Sequence, residues 1–295
     1  MFGDYLSSLN AADDLSYASP LKKFPSRPHP ETAMVVPGGA RPDVSLIHAS
    51  RGNFDIPNLE SKGPRVGADA GAPHDATRPL VKDISGKLGS NTLASGSWWC
   101  AQGGWPSKKL RTSTEIFYVF EGFGCVTDLD GKRNFFGPGD TVILPKGWSG
   151  RWDVAQDIHK VWFVHDHENI EEDMSSTVQA RIIHYNDLVA SHTLENWKLR
   201  QDATHGTRPQ SASKNFYDVG PTDVGYWICT PGSFAKTTPS AAAEGFYVLE
   251  GVFFLTNHAD GSTQKCVAGD TVVLPKGWTG EWNIVETVQK LWVEV

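Results

Sequence analysis

The stretch PKGWSGRWDV at residues 145–154 returns about 130 residues later as PKGWTGEWNI at residues 275–284. So specific a phrase written twice marks an internal repeat, and the repeat fixes the architecture before any single motif does. Other blocks recur at the same separation. GSWWC (96–100) matches GYWIC (225–229), EIFYVFEG (115–122) matches EGFYVLEG (244–251), and KVWFV (160–164) matches KLWVEV (290–295).

Inside each unit the apolar runs are short, rich in Val, Phe, Tyr and Trp, and separated by Gly, Pro, Asp and Asn. DLDGKRN (128–134) and HADGST (258–263) place Asp-Gly between such runs, a hairpin signal. No segment holds a sustained 3.6-residue period, and DLVASHTLENW (187–197) is at most a short helix or turn. The pattern predicts an all-β chain of two tandem barrels or sandwiches. The expected division is an N-terminal arm over 1–40, a first domain over 41–168 and a second over 169–295. The polar stretches 61–79 and 200–215 read as lids or interface loops.

Bulk properties narrow the function classes. At 295 residues the chain suits two domains. A net charge of −7 argues against general affinity for nucleic acid or anionic membranes, which need a basic surface. No apolar run reaches the roughly 20 residues of a membrane helix, and the first residues lack the pattern of a secretory signal. Four cysteines with no CxxC pair predict reduced thiols in a cytoplasmic protein, with Cys100 and Cys229 as buried strand residues.

Glu115 followed by Gly122 has the spacing of the end of the first cupin motif, and Glu244 to Gly251 repeats it. Gly139, Pro145 and Gly147 fit the start of the second motif, as do Gly269, Pro275 and Gly277. On these residues the chain resembles a bicupin of the RmlC-like superfamily, in the small-cupin group with ureidoglycine aminohydrolase and the ethanolamine-utilisation cupins. The resemblance implies two jelly-roll barrels in one chain.

In metal-binding cupins the same motifs also carry three histidines. Here the slots before Glu115 fall on Lys109 and Arg111, or on Lys108 and Leu110. Those before Glu244 fall on Thr237 and Pro239, or on Thr238 and Ser240. The last slot is Gly150 in one copy and Gly280 in the other. A lone carboxylate does not hold a transition metal, which needs three or four ligands, so no metal and no cofactor are expected. His165, His167 and Glu168 offer an alternative ligand set, in what reads as a solvated inter-domain linker.

Strand alternation places Trp152 and Trp282 inward beside Gly150 and Gly280, with Trp162 and Trp292 near them. They are core residues or the walls of an aromatic pocket. Glu115, Lys109 and Arg111 are the candidate catalytic residues, the cations binding a substrate carboxylate while Glu115 moves a proton. Trp152, Arg151, Trp162, Glu244 and Trp282 are the candidate substrate contacts. The cationic SKKLRTSTE (107–115) favours the first barrel over the neutral FAKTTPSAAAE (234–244). Tyr118 and Tyr247 alternate onto the opposite face, His48 and His184 read as strand caps, and Lys146 and Lys276 as solvated turn lysines.

These readings point to a metal-independent enzyme of cupin type, an isomerase, lyase, cyclase or hydrolase acting on a polar or carboxylated metabolite. A non-catalytic binding or structural bicupin and a metalloenzyme with non-motif histidines are the alternatives. The expected partners are a small-molecule substrate and a second copy of the chain in a homodimer, with neither nucleic acid nor membrane.

Overall fold

The computed structural model describes residues 45–82, 92–167, 178–189 and 196–295; the arm expected over 1–40 lies outside them. The chain opens with β1 (Ile47–Ala49). It continues through β2 (Glu60–Pro64), β3 (Ala70–Gly71), β4 (His74–Val81), β5 (Thr92–Cys100), β6 (Gly103–Ser107), β7 (Thr114–Asp128), β8 (Arg133–Phe136), β9 (Thr141–Leu144) and β10 (Gly150–Asp166). Next come β11 (Arg181–Ile183) and the short helix α1 (Tyr185–Val189). The second copy follows as β12 (Lys198–Leu199), β13 (Ala203–His205), β14 (Gln210–Val219), β15 (Thr222–Cys229), β16 (Gly232–Lys236), β17 (Glu244–Asn257), β18 (Thr263–Val267), β19 (Thr271–Leu274) and β20 (Gly280–Glu294).

The strands form two 10-stranded sheets of matching topology, ordered β11-β9-β7-β10-β5-β4-β2 and β1-β19-β17-β20-β15-β14-β12. In each, the long central strands, β7 with β10 and β17 with β20, bend through register shifts and close the sheet into a jelly-roll barrel. The two long polar stretches are strands rather than lids. Residues 60–64 and 74–81 extend the first sheet through β4 and β5, and β14 does the same in the second.

The copies exchange their outermost strands. β1, which precedes the first barrel in the chain, pairs with β19 of the second, and β11 pairs back onto β9 of the first. His48 within β1 and His184 just past β11 secure the exchange. His48 Nε2 lies 2.8 Å from Asp270 Oδ2, and His184 Nδ1 lies 3.3 Å from Asp140 Oδ2.

Alternation along β7 sorts its side chains between two cores. Phe117 and Val119 enter the first barrel, while Ile116, Tyr118 and Phe120 enter an apolar layer shared with the second copy. There Tyr118 meets Tyr247, ring centroids 4.7 Å apart. The odd residues of β10, His159, Val161, Phe163 and His165, are buried on this same face. HDHE is therefore no solvated linker: His165 and His167 are buried, and Glu168 lies outside the described residues. All four cysteines are buried and free, Cys100 and Cys229 fully so.

The repeated PKGW phrase is a turn that plugs one end of each barrel. Gly147 and Gly277 take φ of 86° and 87°, open to glycine at little cost. Trp148 and Trp278 are fully buried, and their indole N–H groups donate to Asp128 at 2.7 Å and Asn257 at 2.8 Å. An indole with its one polar atom satisfied in this way contributes its whole ring to the core. Lys146 is less solvated than a turn lysine, since its ammonium donates to the backbone oxygen of His167.

Candidate functional site

Each barrel holds one buried ion pair in an aromatic box, and the pair follows from alternation. Glu115 shares a face of β7 with Phe117, and Lys160 shares a face of β10 with Trp162, both directed into the barrel. Lys160 Nζ donates to Glu115 Oε1 at 2.7 Å and stands over Phe117, Trp98 and Trp152 at 3.8, 4.7 and 4.9 Å from the ring centroids. In the second barrel Lys290 Nζ donates to Glu244 Oε1 at 2.5 Å and stands over Phe246, Trp282 and Trp227 at 4.2, 4.7 and 5.0 Å. Three aromatic faces and a carboxylate are the surroundings a desolvated ammonium requires.

The copies differ above this pair. In the first, Arg111 caps the glutamate, its guanidinium 2.8 Å from Glu115 Oε2. The backbone amide of Arg111 bonds Trp148 O, as that of Ser240 bonds Trp278 O, so Ser240 holds the same place in the second copy. There no long side chain covers the glutamate. A cavity of about 490 Å³ opens onto Lys290, Glu244 and Trp282, with Trp227 and Trp292 in its walls and Lys236 and Glu294 at its mouth.

Charge states follow the same division. Burial alone raises a carboxyl pKa, but Lys160 and Arg111 outweigh it and hold Glu115 at about 2. Burial lowers Lys160 and Lys290, each partly offset by its glutamate. Glu294 is shifted upward, by burial first and then by Glu244, which lies directly across the strand pair. The second cavity thus sets an ion-paired carboxylate beside one that takes a proton more readily.

Of the residues expected at the site, Glu115, Arg111 and Trp152 meet in the first barrel, and Glu244 and Trp282 in the second. Trp162 packs against the first barrel's core from its edge. Lys109 is exposed on the loop before β7. Arg151 faces outward and is engaged by Asp69 at 2.7 Å and Asp153 at 2.9 Å, because inward Trp152 sends its neighbours to the other face. Lys160, Lys290 and Glu294 were missed. Their signal stood in KVWFV and KLWVEV, where each lysine falls two residues before an inward Trp.

A divalent cation, which the fold's motifs bring to mind, does not fit these residues. A Cβ at Gly150 would lie 2.1 Å from the carbonyl oxygen of Thr127, and one at Gly280 would lie 2.2 Å from the Trp278 ring. No side-chain ligand can stand at either position without moving the barrel wall. The glutamate that remains already touches one cation in the second copy and two in the first. His165 and His167 pair with Thr222 at 2.7 Å and Thr114 at 3.0 Å, and among the described residues no three His, Cys, Asp or Glu side chains converge.

The EutQ-like cupin domain matches residues 89–162 and again residues 218–292. The chain belongs to the EutQ-like cupin family. Its fold is shared with a protein of unknown function from Pseudomonas syringae pv. tomato (16% identity, TM-score 0.61, covering 85% of this chain and 100% of that one). It is shared too with a putative glyoxylate-induced protein from Pseudomonas aeruginosa (15%, TM-score 0.58, 91% and 93%). Salicylate 1,2-dioxygenase from Pseudoaminobacter salicylatoxidans is a third similar structure (13%, TM-score 0.57, 87% and 82%). At these identities the likeness is one of fold. No curated protein matches the sequence. No helix among the described residues is long and apolar enough to cross a membrane.

Proposed function

We propose that the second barrel is a small-molecule enzyme site that works by acid–base transfer without a metal, on a polar or carboxylated metabolite. The observation that carries this reading is the cavity lined by Lys290, Glu244 and Glu294. Glu294, whose proton affinity is raised, supplies an acid, and Glu244, ion-paired with Lys290, supplies a base in the same site. Glu294 is the proton donor and Glu244 the acceptor. Lys290 stabilises the negative charge that develops on a substrate oxygen, the task that a metal performs in other barrels of this shape. The aromatic walls exclude water and orient a flat substrate, and Lys236 at the mouth attracts a carboxylate.

The reaction class is isomerisation, elimination, cyclisation or hydrolysis. The sequence favoured the first barrel for its cations, but Arg111 and Lys160 there neutralise each other's role by sharing Glu115. The second barrel, with the open cavity, is the better candidate.

The test is to incubate the EDTA-treated protein with small carboxylic and carbonyl metabolites and follow each by proton NMR. Conversion by the wild type, lowered about 100-fold or more in E244Q with an unchanged circular dichroism spectrum, is the expected result. Binding without any conversion would make the protein a carrier. Activity that returns only on adding a divalent metal would remove the acid–base reading.

A further inference from the structure

We propose that Lys290 is a nucleophile: its amine condenses with the carbonyl group of an aldehyde or ketone that also carries an anionic group, forming a Schiff base inside the second barrel. This deepens the acid–base reading and rests on the same cavity.

Three features of geometry point to it. The ammonium of Lys290 is buried, yet it borders the cavity rather than being sealed behind side chains. Its walls are the faces of Phe246, Trp282 and Trp227, which hold the cation over their rings yet keep bulk water from it, and it is that loss of water that favours the neutral amine. Its one carboxylate contact, Glu244 at 2.5 Å, is a ready acceptor for the proton the amine must lose. Burial lowers the proton affinity of Lys290 in the same sense.

The step balances with the groups present. Glu244 takes a proton from the Lys290 ammonium, and the freed amine attacks the carbonyl carbon to give a carbinolamine. Glu294, in its protonated form, gives a proton to the departing hydroxyl. Water leaves and a protonated carbon–nitrogen double bond remains, so one carbonyl, one amine and the proton from Glu294 yield one iminium and one water. The iminium then withdraws electrons from the neighbouring carbon, which serves isomerisation or elimination there. Lys236, which borders the cavity, gives the anionic end of the substrate its partner, while Arg200 beside it is held by Asp202.

The first barrel is an internal control. Lys160 has the same aromatic box and the same glutamate, but Arg111 lies over that glutamate where the second copy has Ser240. A carbonyl compound entering from the mouth therefore reaches Lys290 and not Lys160.

The experiment treats the full-length protein at pH 7 with glyoxylate, the smallest aldehyde bearing a carboxylate, and sodium cyanoborohydride. The reductant delivers hydride to the imine and fixes it as a secondary amine, which peptide mass spectrometry locates. We expect labelling at Lys290 at least about tenfold faster than at Lys160 or at exposed lysines away from the cavity such as Lys265, as for a desolvated amine. In K290R this fast phase should vanish while slow surface labelling continues. Labelling confined to exposed lysines would overturn the Schiff base. Should NMR line broadening still show glyoxylate bound, the acid–base site survives that failure; with neither adduct nor binding, both readings fall.

Discussion

Lys160 and Glu115 form the more enclosed of the two ion pairs, and removing one partner exposes what the other costs. In E115Q the ammonium keeps its aromatic box but loses its only carboxylate contact. Stranding a buried charge in this way costs about 3–5 kcal/mol. The double variant E115Q/K160M removes the more deeply buried of the two stranded cations, Arg111 being the other, and should recover part of that loss, measured by urea unfolding. The pair and the buried histidines also separate in pH. His159 is pushed down to about 3, by burial and then by Arg51, and burial holds His165 at about 4. Both lie below the ordinary histidine value of about 6.5, so the unfolded chain binds protons that the native state refuses. Their contribution to stability is complete above about pH 6.5 and drains as the pH falls towards 3. Glu115, held at about 2, adds its own loss as the pH falls from the ordinary carboxyl value of 4.5 towards 2. Gln289 fills the position of His159 in the second copy and accepts a hydrogen bond from Tyr226 at 2.6 Å. H159Q should therefore flatten the stability loss between pH 6.5 and 4, read by urea titration at several pH values. The glutamates were legible in sequence because Glu and Gly stand at a motif's spacing. The lysines were not, because a lysine among Val, Trp and Phe reads as a strand residue until its partner across the ladder is known.

At the scale of the element, the PKGW turn explains itself once Gly150 and Gly280 are seen against the tryptophans two residues before them. In sequence each glycine stood as a lost histidine beside an inward Trp. In the structure the ring of Trp148 or Trp278 and the carbonyl oxygen of the paired strand leave no room for a side chain. G150A should destabilise the first barrel by about 1–3 kcal/mol through overpacking, read by thermal unfolding. Equal stability would mean that the wall yields more easily than these contacts imply. The exchanged strands were illegible for a different reason. Three residues, Ile47–Ala49, say only that a strand forms; which edge receives it depends on the register of a sheet more than 200 residues away in the chain. Truncation through residue 49 removes β1 and the contact of His48 with Asp270. Amide hydrogen exchange should then quicken at Thr271–Val273 of β19, while Thr141–Ile143 of β9 keeps its protection.

The whole molecule is two copies of one barrel that have taken unequal parts, and the division comes down to what lies over a shared ion pair. Composition and repeat spacing were enough to read the all-β architecture and the duplication, since both are carried by local pattern. In sequence the clustered cations favoured the first barrel; in the structure Arg111 lies on Glu115 there, and the cavity over the equivalent ion pair is in the second barrel. If Arg111 is what closes the first barrel, R111S copies Ser240 into it and should open it. Glu115 keeps Lys160 as its partner, so the core pair survives and the loss of stability is small. Titration with glyoxylate, followed by isothermal calorimetry, should then move from one site per chain to two, and cyanoborohydride labelling should appear at Lys160 as well as Lys290. The converse variant S240R places a guanidinium over Glu244 and should abolish both binding and labelling in the second barrel. One site per chain in R111S, with S240R still binding, would mean that Arg111 is not what separates the copies. The difference would then rest with Glu294, whose counterpart in the first barrel is the apolar Val164.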